Sequence, residues 1–221
     1  MAKKAVSSYS KYNPEAKRRK KVNPLKELYP PLPGGKYDVI YADPPWDYGG
    51  KMQYDKSSIK AENIGFEKAV FISAANFKYP TLKLRDLKEL GVASIAADDC
   101  LLFMWTTGPQ MANSIELGQS WGFEYKTLIT WIKTYKDGTP EMGMGYYFRG
   151  CTEHIIFGIK GKKRTINKVT KNMFMAVNPK LHSEKPPIMR DMIVKCSGDI
   201  PRIELFARQY AEGWDCWGDE V

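Results

Sequence analysis

The tetrapeptide Asp43-Pro44-Pro45-Trp46 has the clearest chemical use in this sequence. It directly follows Tyr37–Ala42 (YDVIYA), whose run Val39-Ile40-Tyr41-Ala42 has the character of a buried strand. Ligands of open α/β sheets gather at the carboxyl ends of strands, so an acid placed there is well set to meet one. A carboxylate and a backbone carbonyl can each accept one hydrogen of an aromatic exocyclic amine, such as that of adenine. The lone pair of that amine is delocalised into its ring. Two acceptors draw the nitrogen toward tetrahedral geometry and free the pair for in-line attack on a methyl donor. Pro44 removes an N–H that would compete at the site, and Pro45 stiffens the turn so that its carbonyls stay aimed. Trp46 offers a flat face on which an extruded base could stack. This chemistry asks for no metal. The plainer reading of the same residues is a proline turn closing a strand.

The surrounding sequence alternates strand and helix patterns. Residues 84–97 place Leu84, Leu87, Leu90 and Ile95 at helical spacing, and Cys100–Trp105 (CLLFMW) is a continuous apolar strand. Pro109 opens a helical stretch that runs to Trp121 and stops at Gly122. Leu128–Ile132 and Ile155–Ile159 read as strands, residues 187–196 as a helix closed by Gly198, and Ile203–Ala207 as a further strand. Unbroken apolar strands between amphipathic helices predict an α/β fold, a mostly parallel sheet with helices on both faces. Residues 47–80 lack a clear period and read as a long loop beside the first strand.

Charge is unevenly distributed over the 221 residues, which total +9. Residues 1–22 hold eight basic side chains against Glu15 alone, and residues 160–171 hold Lys160, Lys162, Lys163, Arg164, Lys168 and Lys171 with no acid. The rest of the chain is mildly acidic. Two such clusters suit a polyanion held through its phosphates; a solvated tail is the alternative for the first. Residues 1–35 end in Pro30, Pro31, Pro33, Gly34 and Gly35 and read as a basic arm and linker without a core, leaving 36–221 as one domain. No run of 18 uncharged apolar residues occurs and the N-terminus is basic, which argues against a membrane span or secretory signal. Cys100, Cys151, Cys196 and Cys216 lie 51, 45 and 20 positions apart, a spacing of neither a zinc site nor a disulfide scaffold, and an intracellular location follows as the expectation.

Asp43–Trp46 resembles the DPPW motif of the MT-A70 family of S-adenosylmethionine-dependent N6-adenine methyltransferases. Leu101–Thr107 (LLFMWTT) is similar to that family's second strand, and Trp131-Ile132-Lys133-Thr134 to its W-V-K-T segment. Gly143–Gly161 resembles its glycine-aromatic turn, Glu-His pair and following strand. His182-Ser183-Glu184-Lys185-Pro186 matches H-S-x-K-P, and Ile203–Arg208 matches E-L-F-x-R. The resemblance covers residues 36–221 in the family's order.

It implies a Rossmann-like methyltransferase fold in permuted order, with the acceptor motif early and the cofactor strand late. It implies that Asp43 and Pro44 hold the target amine, with Pro45 and Trp46 completing the catalytic turn. His182, Ser183, Lys185 and Arg208 would bind S-adenosyl-L-methionine together with Asp43. Asp219 and Glu220 stand where the family has an amide pair, and acids there can still take ribose hydroxyls. Glu153, Trp131 and Lys133 are carried as base-pocket residues. Tyr48, Tyr54 and Tyr79 lie in the unusually long loop and receive no role by carry-over.

The expected activity is N6-adenine methylation of DNA with base flipping, in a bacterial or phage-type cytoplasmic enzyme. RNA adenine methylation, cytosine-N4 methylation and a catalytically silent nucleic-acid-binding subunit stay open. The last motif ends close to Val221, leaving no separate target-recognition domain in this sequence; short sequence preference, a homodimer or a partner subunit are the corresponding expectations. His154 is read as a satisfied buried histidine rather than a catalyst. Lys185 could instead snorkel at a helix start, and Arg208 could pair structurally with Glu204. Gly143-Met144-Gly145 lacks the third glycine of a dinucleotide fingerprint. Met142, Met144, Met173 and Met175 read as packing or loop residues.

Overall fold

A computed structural model describes residues 24–48, 81–143, 147–162, 165, 167, 170–179 and 184–221. The strands are β1 (Tyr37–Ala42), β2 (Ala96–Thr106), β3 (Glu124–Thr134), β4 (Thr152–Lys160), β5 (Met173–Val177), β6 (Arg202–Leu205) and β7 (Asp215–Trp217). They form one sheet in the order β5-β3-β4-β2-β1-β6-β7. Every strand runs the same way except β4, which is antiparallel to both β2 and β3. This is a Rossmann-like methyltransferase fold. The strand that runs into Asp43-Pro44-Pro45-Trp46, β1, lies between β2 and the late strand β6. The chain leaves β1 toward β2 on one side and leaves β6 toward β7 on the other, so a crevice opens between their carboxyl ends.

The helices are α1 (Pro24–Leu28), α2 (Leu84–Lys88), α3 (Met111–Ser120) and α4 (Ile188–Ser197). Alternation along the central strands supplies both faces of the sheet. Ile40, Ala42, Leu102 and Met104 join Leu87 of α2 and Leu117 of α3 in one buried cluster. Val39, Tyr41, Leu101, Phe103 and Trp105 join Met189 and Ile193 of α4 in the other. Three fully buried tryptophans knit these layers, and each indole N–H finds an acceptor. Trp105 donates to the Tyr41 hydroxyl, Trp121 to the Leu87 carbonyl and Trp131 to the Ala176 carbonyl.

Several expectations change in detail. The helix read over residues 84–97 closes at Lys88; a 3-10 turn at Val92–Ser94 follows Gly91, and β2 already begins at Ala96. Leu87, Leu90, Val92 and Ile95 still enter one core, so the periodic signal reported a shared buried face rather than a continuous helix. Residues 24–35 are not a free linker. Leu25 and Tyr29 are buried in the core, and the Trp217 indole N–H lies 3.1 Å from the Pro30 carbonyl and 3.3 Å from that of Pro31. The basic segment 1–22 lies outside the described residues, as does most of the long loop with Tyr54 and Tyr79. Met173 and Met175 belong to β5, on its exposed side, while Phe174 between them faces the core. Among the described residues, no helix is long and apolar enough to cross a membrane.

Candidate active site

At the tip of β1 the backbone donors are all engaged. The Asp43 N–H reaches the Leu205 carbonyl, Trp46 N–H turns back to the Pro44 carbonyl at 2.9 Å, and Asp47 N–H reaches Leu82. The Pro45 carbonyl in turn accepts from the Leu82 N–H at 2.8 Å, which staples the turn to the start of α2. Pro44 and Pro45 have no N–H to offer. The turn therefore presents no competing donor of its own to the Asp43 carboxylate. The Pro44 carbonyl keeps one of its two lone pairs after serving Trp46.

Asp43 is 26% exposed at its side chain and opens onto a cleft. Its partner there is Lys185, whose Nζ lies 3.0 Å from Asp43 Oδ2 and 3.4 Å from Glu153 Oε2. The other oxygen of Glu153 accepts from Lys133 Nζ at 2.5 Å. Burial pushes the Asp43 carboxyl above the ordinary carboxylate range, although Lys185 pulls the other way. Burial would also raise Glu153, but Lys185 and Lys133 together hold it below its ordinary value. The two acids are thus set apart by their environments. Beneath them, the Lys185 ammonium stands 5.4 Å from the Trp105 ring centroid and Lys133 5.1 Å from that of Trp131. Those two rings meet edge to face at 5.8 Å.

The far wall comes from the end of β6. Phe206 adopts φ +62°, a left-handed conformation that a bulky residue holds only under tertiary constraint. Tyr29 and Trp217 supply it by packing edge-on against the ring at 5.5 and 5.4 Å. The sharp turn carries Arg208 to the cleft, where its Nε donates to Glu220 Oε1 at 2.9 Å. Gly218 permits this docking, since a Cβ there would sit 2.1 Å from the Ala207 carbonyl oxygen. A second recess adjoins through Asp43, Lys185 and Arg208 and is walled by Arg190 and Glu204. Arg190 grips Glu204 through two hydrogen bonds, of 2.6 and 2.9 Å.

A family model described as MT-A70 matches residues 37–220. The chain belongs to the MT-A70 family. The type II methyltransferase M.MunI of Mycoplasma sp is 54% identical over 98% of this chain and 91% of its own length. The N(6)-adenine-specific methyltransferase METTL4 of Mus musculus is 28% identical over 85% of this chain and 38% of its own. The N(6)-adenosine-methyltransferase catalytic subunit METTL3 of Homo sapiens is 27% identical, again over 85% of this chain but 28% of its own length. With these relatives, the family and the fold, the chain is a methyltransferase.

The site residues expected from the sequence fall into three groups. Asp43, Pro44, Pro45, Glu153, Lys185, Arg208, Asp219 and Glu220 line one cleft. Trp46 also borders it but is 5% exposed and packs in the core, its indole N–H held by the Trp105 carbonyl at 3.3 Å. It braces the turn and offers no free face for a base. Trp131 is 1% exposed and packs under the sheet rather than lining the cleft, and Lys133 reaches the cleft only through Glu153.

Of the third group, Lys160 and Lys162 lie apart. β4 is antiparallel, so Glu153 stands at the cleft end of the sheet while Lys160 pairs with Cys100 at the opposite end. The strand between them spans roughly 23 Å. Lys160 donates to the Ala96 carbonyl, and the Lys162 N–H to Asp99. His182, Ser183, Lys163, Arg164 and Lys168 lie outside the described residues.

Sequence reasoning gave Trp105, Tyr29 and Arg190 no place at the site, and named Glu204 only as an alternative partner of Arg208. The Arg208–Glu204 pairing weighed as the alternative for Arg208 does not form; Arg208 pairs with Glu220 and Arg190 with Glu204. His154 shares hydrogen bonds with Thr130 at 3.2 Å and Thr152 at 3.5 Å, and burial lowers its pKa, which suits a neutral structural ring. Tyr48 borders the cleft and shares a hydrogen bond with Thr107.

Proposed function

We propose that this chain transfers a methyl group from S-adenosyl-L-methionine to the N6 amine of adenine in DNA, with the target base flipped into the cleft. The observation that carries this reading is the Asp43 turn. A carboxylate open to the cleft sits beside the Pro44 carbonyl, in a turn whose own N–H groups are all engaged by backbone carbonyls, one of them that of Pro44. Asp43 accepts one amine hydrogen and the free lone pair of the Pro44 carbonyl accepts the other. Both acceptors are fixed before the base arrives, so little reorganisation is needed at the moment of reaction.

The cleft also suits the cofactor. Lys185 and Arg208 offer cations for its carboxylate, and Asp219 and Glu220 offer acceptors for its ribose hydroxyls. When bound, S-adenosyl-L-methionine supplies an electrophilic methyl group. DNA is preferred over RNA because the type II methyltransferase is matched over nearly its full length, whereas the human adenosine enzyme is matched over 28% of its own. That relative, from Mycoplasma sp, also supports a cytoplasmic bacterial or phage setting.

The test is transfer of labelled methyl from S-adenosyl-L-methionine to DNA and RNA oligonucleotides by the chain alone, followed by mass spectrometry of the nucleosides. N6-methyldeoxyadenosine is expected. Label found only in RNA or in N4-methylcytosine would replace the substrate, and no label at all would favour a silent subunit or a missing partner.

A further inference from the structure

Lys133, Glu153, Lys185 and Asp43 form one alternating chain of charges, built from β3, β4, the segment before α4 and the tip of β1. Its geometry is uneven in an instructive way. Lys133 takes Glu153 Oε1 at 2.5 Å, leaving Oε2 to face Lys185 at 3.4 Å, farther than the 3.0 Å from Lys185 to Asp43. The single ammonium of Lys185 is therefore contested by two carboxylates, and Lys133 weakens the claim of one of them. All four side chains are largely sheltered, Lys133 at 22% exposure and the other three between 16% and 26%, so their charges act on one another through a poorly screening medium. The indoles of Trp105 and Trp131 beneath the two ammonium groups confine them further.

We propose that Lys133 and Glu153 are positioning residues that set where the Lys185 ammonium rests between Asp43 and Glu153, and so govern how readily Asp43 ionises. This rests on Asp43 being the amine acceptor. Lys133 does not line the cleft; it acts at a distance, through Glu153. Losing its charge strengthens the pull of Glu153 on Lys185 and strips Asp43 of its counter-charge. Losing the charge of Glu153 does the reverse, drawing Lys185 toward Asp43 and removing a neighbouring negative charge. The two substitutions therefore move Asp43 in opposite directions, which nonspecific damage to the fold would not do. Among the described residues, the other groups that act on Asp43 are Glu204 on β6, Arg208 just beyond it, Tyr41 on β1, and the partners Arg190 and Glu220 of the first two; both substitutions leave them in place.

The experiment is a carbon-13 carboxyl titration of Asp43 by NMR in the intact chain, its resonance assigned by loss in Asp43→Asn. Lys133→Met is expected to raise the Asp43 midpoint by about half a pH unit or more, and Glu153→Gln to lower it by a similar amount. Lys133→Arg should restore the wild-type midpoint, and Lys133→Met with Glu153→Gln should resemble Glu153→Gln alone. An unmoved midpoint, or two shifts of the same sign, overturns the proposal. The readout needs neither substrate nor turnover, so it fails or succeeds separately from the methylation assay.

Discussion

Lys185 holds its ammonium 3.0 Å from Oδ2 of Asp43, beside the turn that two consecutive prolines build at the cleft. That contact opposes the burial that pushes the Asp43 carboxyl upward. As the proposed amine acceptor, Asp43 must be ionised to work, and a raised pKa means the ionised fraction is lost earlier as pH falls. Methyl transfer should therefore show an acid limb above the ordinary carboxylate range. Replacing Lys185 by Met removes the counter-charge and should shift that limb to still higher pH, on top of any loss in cofactor affinity. A single-turnover pH profile checks this; an unmoved or lowered limb contradicts it.

The Arg190–Glu204 pair lies beside the second recess with side-chain exposures of 17% and 9%. Breaking a pair this sheltered leaves a carboxylate without its charge partner and costs about 3–5 kcal/mol. Arg190→Met should destabilise the fold by that order in urea melts. Burial already raises Glu204, and losing Arg190 raises it further. A carboxyl whose folded pKa lies above its unfolded value makes stability fall as pH rises from the unfolded value through the folded one. The deficit of Arg190→Met should thus shrink toward acid pH, and adding Glu204→Gln should recover part of it.

Lys162 and Lys171 are exposed and belong to the basic segment that starts at the sheet end opposite Asp43. Each phosphate contact contributes about 0.9 to the slope of log affinity against log salt. If DNA seated at the cleft extends around to this segment, replacing both by Ala should flatten that slope. The single-turnover rate at saturating DNA should hold, since neither lines the cleft proposed to take the base and the cofactor. Filter binding over a salt series reads the first effect, and an unchanged slope would remove the segment from the interface.

Much of the architecture was legible because its signals were local. Apolar runs marked the central strands β1 and β2, and Gly122 and Gly198, with φ of +91° and +83°, stopped α3 and α4 where glycine was expected. The acid at the tip of β1 was legible for the same reason. The rest depended on partners brought together across the sheet. Arg190 and Glu204 are 14 residues apart on a helix and a strand, a separation with no periodic meaning. The side chains of Trp131 and Lys133 alternate with Ile132 along β3, but which face meets the cleft is decided by β4 and β5. The reversed direction of β4, which sends Lys160 away from the site that Glu153 enters, leaves no trace in composition. β5 went unread because two of its five residues are methionines, a weak strand signal.

The measurement that bears most directly on the account is single-turnover methyl transfer to adenine-containing DNA by Asp43→Asn beside the wild type. The substitution keeps the size of the side chain while replacing one acceptor oxygen by a donor, in a turn whose backbone is otherwise unchanged. A loss of about a hundredfold or more in the transfer step, with the thermal transition retained, is the predicted result. Transfer at the wild-type rate would mean that the amine is activated elsewhere.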